Sequence, residues 1–364
     1  MRRPIRVMHV VSKLSTYGAE NLVAQLAENL ANRGVEVSVL TVYDAAPNQT
    51  PAVFHGAIFS ANRRHRWDAK FFWRMVRLMR AWRPTIVHTH VHNGKYWGRL
   101  AAIAAGVPHI IHTEHNSDFR AGMLERLSNS VLHHASTRIV AFSQPHANAL
   151  ASAERVSADK ISIIANGIER RARGDRQRSR ELLGLAENKR AIFVVGRLEA
   201  VKNQRLAILA LRHLPGDLLE RTKLFIVGDG ADRSALQRLA RDEGLDGNVV
   251  FLGYRNDVRA LLEGADVLLV TSLNEAMPLS VIEAIAAGVP IVTTPWHGVE
   301  TMVHDGIGWI SSGWSPPEIA DVLRCVLRDG ATSERPQGEA TIAKSRYDIA
   351  ATAQRHIELY EALV

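Results

Sequence analysis

Short runs of β-branched and other apolar residues recur along this chain, each followed by a longer stretch whose apolar positions fall three and four apart. Residues 5–11 predict a strand, 19–33 a helix that stops at Gly34, and 35–42 the next strand. Residues 85–90, 109–113, 138–142 and 161–164 read as further strands. The pattern then restarts, with strands expected at 191–195, 223–227, 249–252, 267–271 and 291–294 and helical spacing in the gaps. Such alternation is the mark of βαβ units and parallel sheets. Ligands on these sheets bind beyond the carboxyl ends of the strands, so the loops there are the ones to read for chemistry.

The pattern breaks just after Asn166-Gly167, where residues 170–180 are short of apolar side chains and full of arginine. A length of 364 residues fits two domains. We place an N-terminal domain at 1–168 and a second domain at 169–344. An isolated amphipathic helix at 345–364 is expected to cross back to the first domain.

Composition narrows the class. A hydrophobic fraction of 46% is enough for two cores. The mean hydropathy of -0.07 and the lack of any run of about 18 apolar residues argue against a spanning helix. The apolar run at 7–11 is short and contains His9, so it reads as a first strand rather than a leader. A single cysteine, Cys325, excludes an intrachain disulfide and fits a reducing cytoplasm. It lies in an amphipathic helical pattern and is expected in the core. The net charge of +8 is concentrated. Residues 62–83 hold eight Lys/Arg and one acid, and 169–180 hold six Arg and two acids, so the remaining body is mildly acidic. Such segments favour anionic partners.

The second half carries the sharpest motifs. Val195-Gly196-Arg197-Leu198 closes a strand, and Lys202 follows just before a helix. Backbone N–H groups at a helix start, together with two cations, suit a phosphate. A diphosphate leaving group needs that neutralisation as its bond to sugar breaks. Gly228-Asp229-Gly230 is a partial dinucleotide fingerprint with Arg233 where the third glycine belongs. A tight strand-to-helix turn explains it better than an NAD site, which disfavours an oxidoreductase. Glu275 lies in a strand-end loop, and Glu283 lies inside an otherwise apolar helix that begins near Pro278-Leu279. A carboxylate on an apolar face is costly unless hydrogen-bonded, and ribose hydroxyls are fitting donors.

Together these motifs resemble the retaining GT-B enzymes of glycosyltransferase family 4, also called glycosyl transferases group 1. The resemblance rests on Gly196-Arg197-Leu198 with Lys202, on the pair Glu275 and Glu283, and on the strand entry Ala287-Gly288-Val289-Pro290. The first half adds Tyr17-Gly18-Ala19-Glu20 and Asn166-Gly167-Ile168. The resemblance implies an α/β fold of two Rossmann-like parallel-sheet domains facing a central cleft, with the first binding acceptor and the second binding donor. It implies that Arg197 and Lys202 bind the donor diphosphate and Glu283 the ribose. Glu275 and the loop with Ala276, Met277 and Leu279 should hold the transferred sugar, and Gly228 and Tyr254 should line the nucleotide pocket. Gly18 should let backbone approach the phosphate, and His115 should be the first-domain histidine near the sugar. Tyr17 replaces the first glycine of the family's usual pair, and Met277 stands where an aromatic is common.

His88, His90 and His92 alternate at a strand end, where strand geometry could place them on one face, with His112, Glu114 and His115 nearby in sequence. A metal-dependent hydrolase is therefore the competing enzyme class. It leaves the second-half motifs unexplained, and satisfied histidines lining an acceptor cleft are the better reading. Residues 67–82 mix Trp67, Phe71, Phe72, Trp73, Met75 and Trp82 with Lys70, Arg74, Arg77 and Arg80. Lys70, Arg74 and Arg77 share one helical face, which could meet anionic lipid headgroups or simply be solvated. A basic nucleic-acid-binding protein is a third class, but no nucleic-acid motif accompanies the charge, so nucleic acid is not expected as a partner. The expected reaction moves a hexose-type sugar from a nucleoside diphosphate sugar, with retention, to a hydroxyl of a lipid-linked or polysaccharide acceptor in bacterial envelope glycan synthesis, including lipopolysaccharide. The donor is a substrate, and no cofactor or metal is expected. The expected location is cytoplasmic, peripheral on the inner face of the cell membrane.

Overall fold

In the computed structural model, the described residues are 4–15, 18–44, 54–115, 123–170, 174–304, 306–328 and 346–364. They divide into two compact units, residues 1–170 with 346–364 and residues 171–345.

The first unit is built on strands β1 (Arg6–Val11), β2 (Glu36–Thr41), β3 (Ala57–Ser60), β4 (Ile86–His90), β5 (His109–Thr113), β6 (Arg138–Ala141) and β7 (Ile161–Ile163). They form a seven-stranded parallel sheet in the order β3-β2-β1-β4-β5-β6-β7. Strands covered on both faces need continuous apolar runs, and in β1 Val7, Met8, Val10 and Val11 are all fully buried. Helix Gly18–Ala31 turns Leu22, Leu26 and Leu30 inward at four-residue spacing. Helix Lys70–Trp82 buries Phe71, Met75, Val76 and Met79, which join Met8, Val10 and Val87 in one cluster.

The C-terminal helix Ile349–Glu361 belongs to this first unit. Asp348 caps it by accepting from Ala350 N at 2.9 Å and pairs with Arg170 at 2.7 Å. Thr352 Oγ1 donates to the Ala165 carbonyl at 3.0 Å, and the helix packs on helix Gly18–Ala31.

The second unit holds β8 (Arg190–Val195), β9 (Thr222–Val227), β10 (Val249–Gly253), β11 (Val267–Val270), β12 (Ile291–Thr293) and β13 (Gly308–Ile310). These pair in parallel in the order β10-β9-β8-β11-β12-β13. Ile192, Leu224, Ile226, Val267 and Val292 form the sheet side of its core, against Leu206, Leu211 and Leu323 from helices. Cys325 departs from expectation. It is exposed, because the core-facing stripe of helix Pro316–Arg328 runs through Ile319, Leu323, Val326 and Leu327 and leaves it outside. Among the described residues no helix is long and apolar enough to cross a membrane.

Candidate functional site

In the second unit the strand order reverses between β8 and β11, which is the switch point where such sheets open a crevice. The loop after β8 carries Gly196, Arg197 and the tight turn Ala200–Lys202; the loop after β11 carries Ser272 and Glu275. The two loops are stitched together. Thr271 Oγ1 donates to the Lys202 carbonyl at 3.0 Å, and Leu273 N donates to the Val201 carbonyl at 2.9 Å. This places Lys202 Nζ 2.6 Å from Glu275 Oε1, with Ser272 Oγ donating to the same oxygen at 2.6 Å. The result is a largely buried, charge-assisted knot at the switch point. Sequence reasoning missed Ser272: it stands only three residues before Glu275 in the same loop, but nothing in the loop's composition marks a serine there as the carboxylate's donor. Arg197 is arranged differently: its guanidinium is two-thirds exposed and pairs with Glu199 at 2.8 Å.

The remaining second-unit residues surround this knot in sequence and on the sheet's carboxyl end. A Cβ on Gly228, which has φ +137°, would lie 2.0 Å from the Gly196 carbonyl oxygen, so only glycine lets the turns after β8 and β9 pack back to back. Gly228 N donates to the Gly253 carbonyl at 2.8 Å, and the neighbouring Tyr254 is exposed. Helix Leu279–Ala287 starts after an extended Pro278 at the cap position, with no side-chain cap on its first N–H groups. Met277 is buried, while Ala276, Leu279 and Glu283 are half-buried. Desolvation pushes the Glu283 carboxyl up to about 7, with Arg259 pulling the other way.

In the first unit the reversal falls between β1 and β4, and histidines gather there. His9 on β1 stands in register with His88 on β4. His9 Nδ1 lies 2.9 Å from His90 Nε2, and His90 Nδ1 lies 3.3 Å from His115 Nε2. His88 is held through Nδ1 by the Tyr360 hydroxyl and through Nε2 by Thr113 Oγ1, both at 2.7 Å. Burial keeps this group neutral: it lowers His9 to about 3, His115 to about 4 and His356 to about 4, and holds His88 and His90 well below the usual imidazole range. His92 does not join them. The chain turns at Val91, with φ +48°, and His92 is exposed against Tyr96. His9, His88 and His90 each bring a ring nitrogen within 4.8 Å of the others. Both nitrogens of His88 are nevertheless spoken for by hydroxyls, so the set reads as a hydrogen-bonded array.

Gly18 opens helix Gly18–Ala31 at φ +64°, and an added Cβ would meet nothing within 4 Å. Within the protein its need for glycine is therefore conformational, not a collision. Its neighbour Tyr17, and Asn116 beside His115, lie outside the described residues.

Sequence reasoning missed a buried ionic network beside His115. Lys95 Nζ lies 2.7 Å from Glu114 and 3.0 Å from Glu154, and Glu154 also takes Asn129 at 2.7 Å and His133. Burial alone would raise the Glu114 carboxyl, but His112 at 3.5 Å and Lys95 hold it well below the usual range. No local spacing marks these residues, since Lys95 and Glu154 meet only after folding.

The two basic segments also differ from expectation. Arg74 does not face outward with its neighbours: it donates to the Ala61 and Asn62 carbonyls at 2.6 and 2.7 Å and pairs with Asp68 at 2.7 Å. Lys70, Trp73 and Arg77 form the exposed face of that helix, and Trp67 just before it is 76% exposed. In the second segment Arg176 and Arg180 pair with the buried Asp266 at 2.6 and 3.3 Å, so these cations hold the second unit together.

Comparison with known proteins joins the halves. The family described as Glycosyltransferase Family 4 matches residues 16–171, and that described as Glycosyl transferases group 1 matches residues 175–342. The chain is 29% identical over 254 residues to the UDP-Gal:alpha-D-GlcNAc-diphosphoundecaprenol alpha-1,3-galactosyltransferase of Escherichia coli; this match spans 65% of each chain. It is 26% identical over 360 residues to the D-inositol 3-phosphate glycosyltransferase of Mycobacterium marinum, covering 87% of this chain and 74% of that one. In structure it is similar to Anabaena HepE in complex with UDP and glucose, with TM-score 0.83 and 19% identity over 98% of this chain and 100% of that one. Sucrose-phosphate synthase from Thermosynechococcus elongatus gives a TM-score of 0.85 at 19% identity, over 99% of both chains. With two parallel-sheet Rossmann-like units, and with the two family matches together spanning residues 16–171 and 175–342, the chain belongs to the GT-B glycosyltransferases of family 4.

Proposed function

We propose that this protein is a retaining glycosyltransferase that moves a hexose-type sugar from a nucleoside diphosphate sugar to a hydroxyl of a lipid-linked or polysaccharide acceptor. The observation that carries the reading is the Lys202–Glu275 knot at the second unit's switch point, followed by a helix whose first N–H groups carry no side-chain cap. In this reading Lys202 and Arg197 neutralise the departing diphosphate, and the N-terminus of helix Leu279–Ala287 adds its dipole. Glu275, Ala276, Met277 and Leu279 hold the sugar, Glu283 accepts from the ribose hydroxyls, and Gly228 and Tyr254 line the nucleotide. Gly18 and His115 are the first unit's contributions to phosphate and sugar. The acceptor attacks from the face the diphosphate leaves, and the leaving phosphate takes its proton. The name of the E. coli relative couples a UDP-sugar with a diphosphoundecaprenol-linked acceptor, which supports a lipid-linked acceptor in envelope glycan synthesis here. Incubation with a panel of nucleotide sugars tests the reading: saturable binding and transfer from one of them supports it, and binding of none retires it.

Side-chain cations take the place that a divalent ion fills in other sugar-transfer sites, so transfer persists in excess EDTA. If EDTA abolishes it and zinc or manganese restores it, the His9, His88 and His90 array is catalytic and the hydrolase class returns.

We also propose peripheral docking on an anionic membrane, in the cytoplasm, through Trp67, Lys70, Trp73 and Arg77. Two exposed tryptophans flanked by cations suit a headgroup layer, and Arg66 stacks on Trp67 at 4.7 Å. Each cation near such a surface contributes about 1 kcal/mol. Reversing Arg66, Lys70 and Arg77 to Glu therefore weakens binding to phosphatidylglycerol vesicles by at least about 100-fold at low salt, with nucleotide binding unchanged. Equal pelleting of the wild type and the triple variant leaves this face merely solvated.

A further inference from the structure

The first unit contains a chain of three neutral imidazoles, two of which, His9 and His90, have no part in the site proposed above. It runs from His9 through His90 to His115, with contacts of 2.9 Å and 3.3 Å between ring nitrogens. A neutral imidazole has one N–H and one lone pair, so each contact needs a donor on one side and an acceptor on the other. His90 sits in the middle, and its single proton must serve one contact while its lone pair serves the other. The chain therefore has only two consistent proton arrangements, one pointing each way.

The far end decides between them. His9 is fully buried, and its Nε2 has no hydrogen-bond partner. If His90 Nε2–H donates to His9 Nδ1, the His9 proton is forced onto that orphaned Nε2. If His9 Nδ1–H donates instead, Nε2 keeps only a bare lone pair. An orphaned buried N–H is rarer and costlier than an unfilled acceptor, so the second arrangement wins. His90 Nε2 then accepts, His90 Nδ1–H donates to His115 Nε2, and the His115 proton must sit on Nδ1. Burial keeps all three rings neutral near pH 7, so no protonated ring breaks the sequence.

We propose that His9 and His90 are positioning residues that fix the tautomer of His115, so that His115 offers its substrate an Nδ1–H donor. The oxygen it recognises is a hydrogen-bond acceptor on the transferred sugar, a hydroxyl or ring-substituent oxygen. This rests on the proposed glycosyl transfer only for the identity of that substrate; the tautomer itself stands on the protein alone. His115 ring orientation is fixed from its other side by Phe142 at 5.3 Å between ring centroids.

The test is nitrogen NMR on the full chain with 15N-labelled histidine, which distinguishes a protonated Nδ1 from a protonated Nε2. In the wild type the His115 signals, assigned by their loss in His115→Gln, show the proton on Nδ1. His90→Phe removes the donor and returns His115 to the Nε2–H form that free imidazole side chains favour. His90→Asn keeps an amide N–H in the place of Nδ1 and restores the wild-type pattern. With a working donor and acceptor, His90→Phe lowers kcat by about 10-fold or more and leaves nucleotide affinity unchanged, while His90→Asn recovers most of it. An Nε2–H tautomer in the wild type overturns the proposal outright, even if His90→Phe fails to fold. An unchanged His115 tautomer in a folded His90→Phe overturns it as well. Loss of nucleotide-sugar binding in the wild type would strike the proposed function but leave the tautomer assignment standing.

Discussion

Replacing Lys202 and Arg197 together by alanine lowers sugar transfer by about two orders of magnitude or more, while both units stay folded. Removing a preorganised partner of developing negative charge typically costs roughly 3–4 kcal/mol in the transition state. The two cations are not equivalent. Lys202 is a quarter exposed and already engaged by Glu275, whereas Arg197 is 67% exposed beside Glu199. Lys202→Ala alone therefore has the larger effect, because it also leaves the Glu275 carboxylate largely buried, with Ser272 as its remaining side-chain donor among the described residues. That second cost shows as reduced stability of the second unit, separable from catalysis by a thermal melt without donor. Lys202→Arg keeps the charge and retains part of the activity, although the planar guanidinium does not reproduce a point charge. Steady-state rates with a nucleotide-sugar donor check the prediction, with circular dichroism confirming the fold. Near-normal transfer in the double alanine variant sinks the donor-clamp assignment.

What the sequence revealed depended on whether the signal was local. Central strands such as β1 and β11 are buried on both faces and announce themselves as apolar runs. The edge strands β3 and β13 were not anticipated, because Ala57–Ser60 is mostly exposed and Gly308–Ile310 is three residues long. The Glu275 and Glu283 motif was legible because a strand, a loop and a helix start are contiguous in sequence. The partner the structure gives Glu275, Lys202, lies 73 residues away, and no spacing rule pairs the two. The histidines show the same boundary. Period-two spacing selected His88, His90 and His92, but the strand ends at His90 and the positive φ of Val91 sends His92 outward. The third member of the array is His9, supplied by register pairing across β1 and β4, which no spacing rule reports. Arginine counting failed similarly. Arg74, Arg176 and Arg180 look like free surface charge until Asp68 and Asp266 fold against them.

Glu283→Gln makes the second unit more stable at pH 8 and weaker in nucleotide binding, with little effect on stability at pH 5. The sign follows from the direction of the shift. Desolvation raises the carboxyl from an ordinary 4.5 to about 7, so the fold disfavours the ionised form. Below about pH 4.5 the group is neutral in both folded and unfolded chains, and it costs nothing. Between 4.5 and 7 the unfolded chain ionises first and the penalty grows; above 7 it is complete. A shift of that size sets a ceiling of about 3 kcal/mol. The side chain keeps some solvent contact and Arg259 opposes the shift, so about 1–2 kcal/mol is expected at pH 8, visible as a melting shift of several degrees. The amide keeps the shape and removes the charge, so packing is not the variable. Binding moves the opposite way. Hydrogen bonds to an ionised acceptor are worth about 1.5–3 kcal/mol, so affinity for the nucleoside diphosphate falls about 10- to 100-fold. In the proposed donor site ribose hydroxyls donate to the ionised carboxylate, so wild-type affinity should also decline as pH drops through about 7, and the Gln variant should lose that dependence. Calorimetric titration of UDP and GDP at pH 6 and 8, beside thermal melts at pH 5 and 8, resolves both halves. A variant that is less stable at pH 8 and binds nucleotide normally makes Glu283 a structural residue and removes it from the donor site.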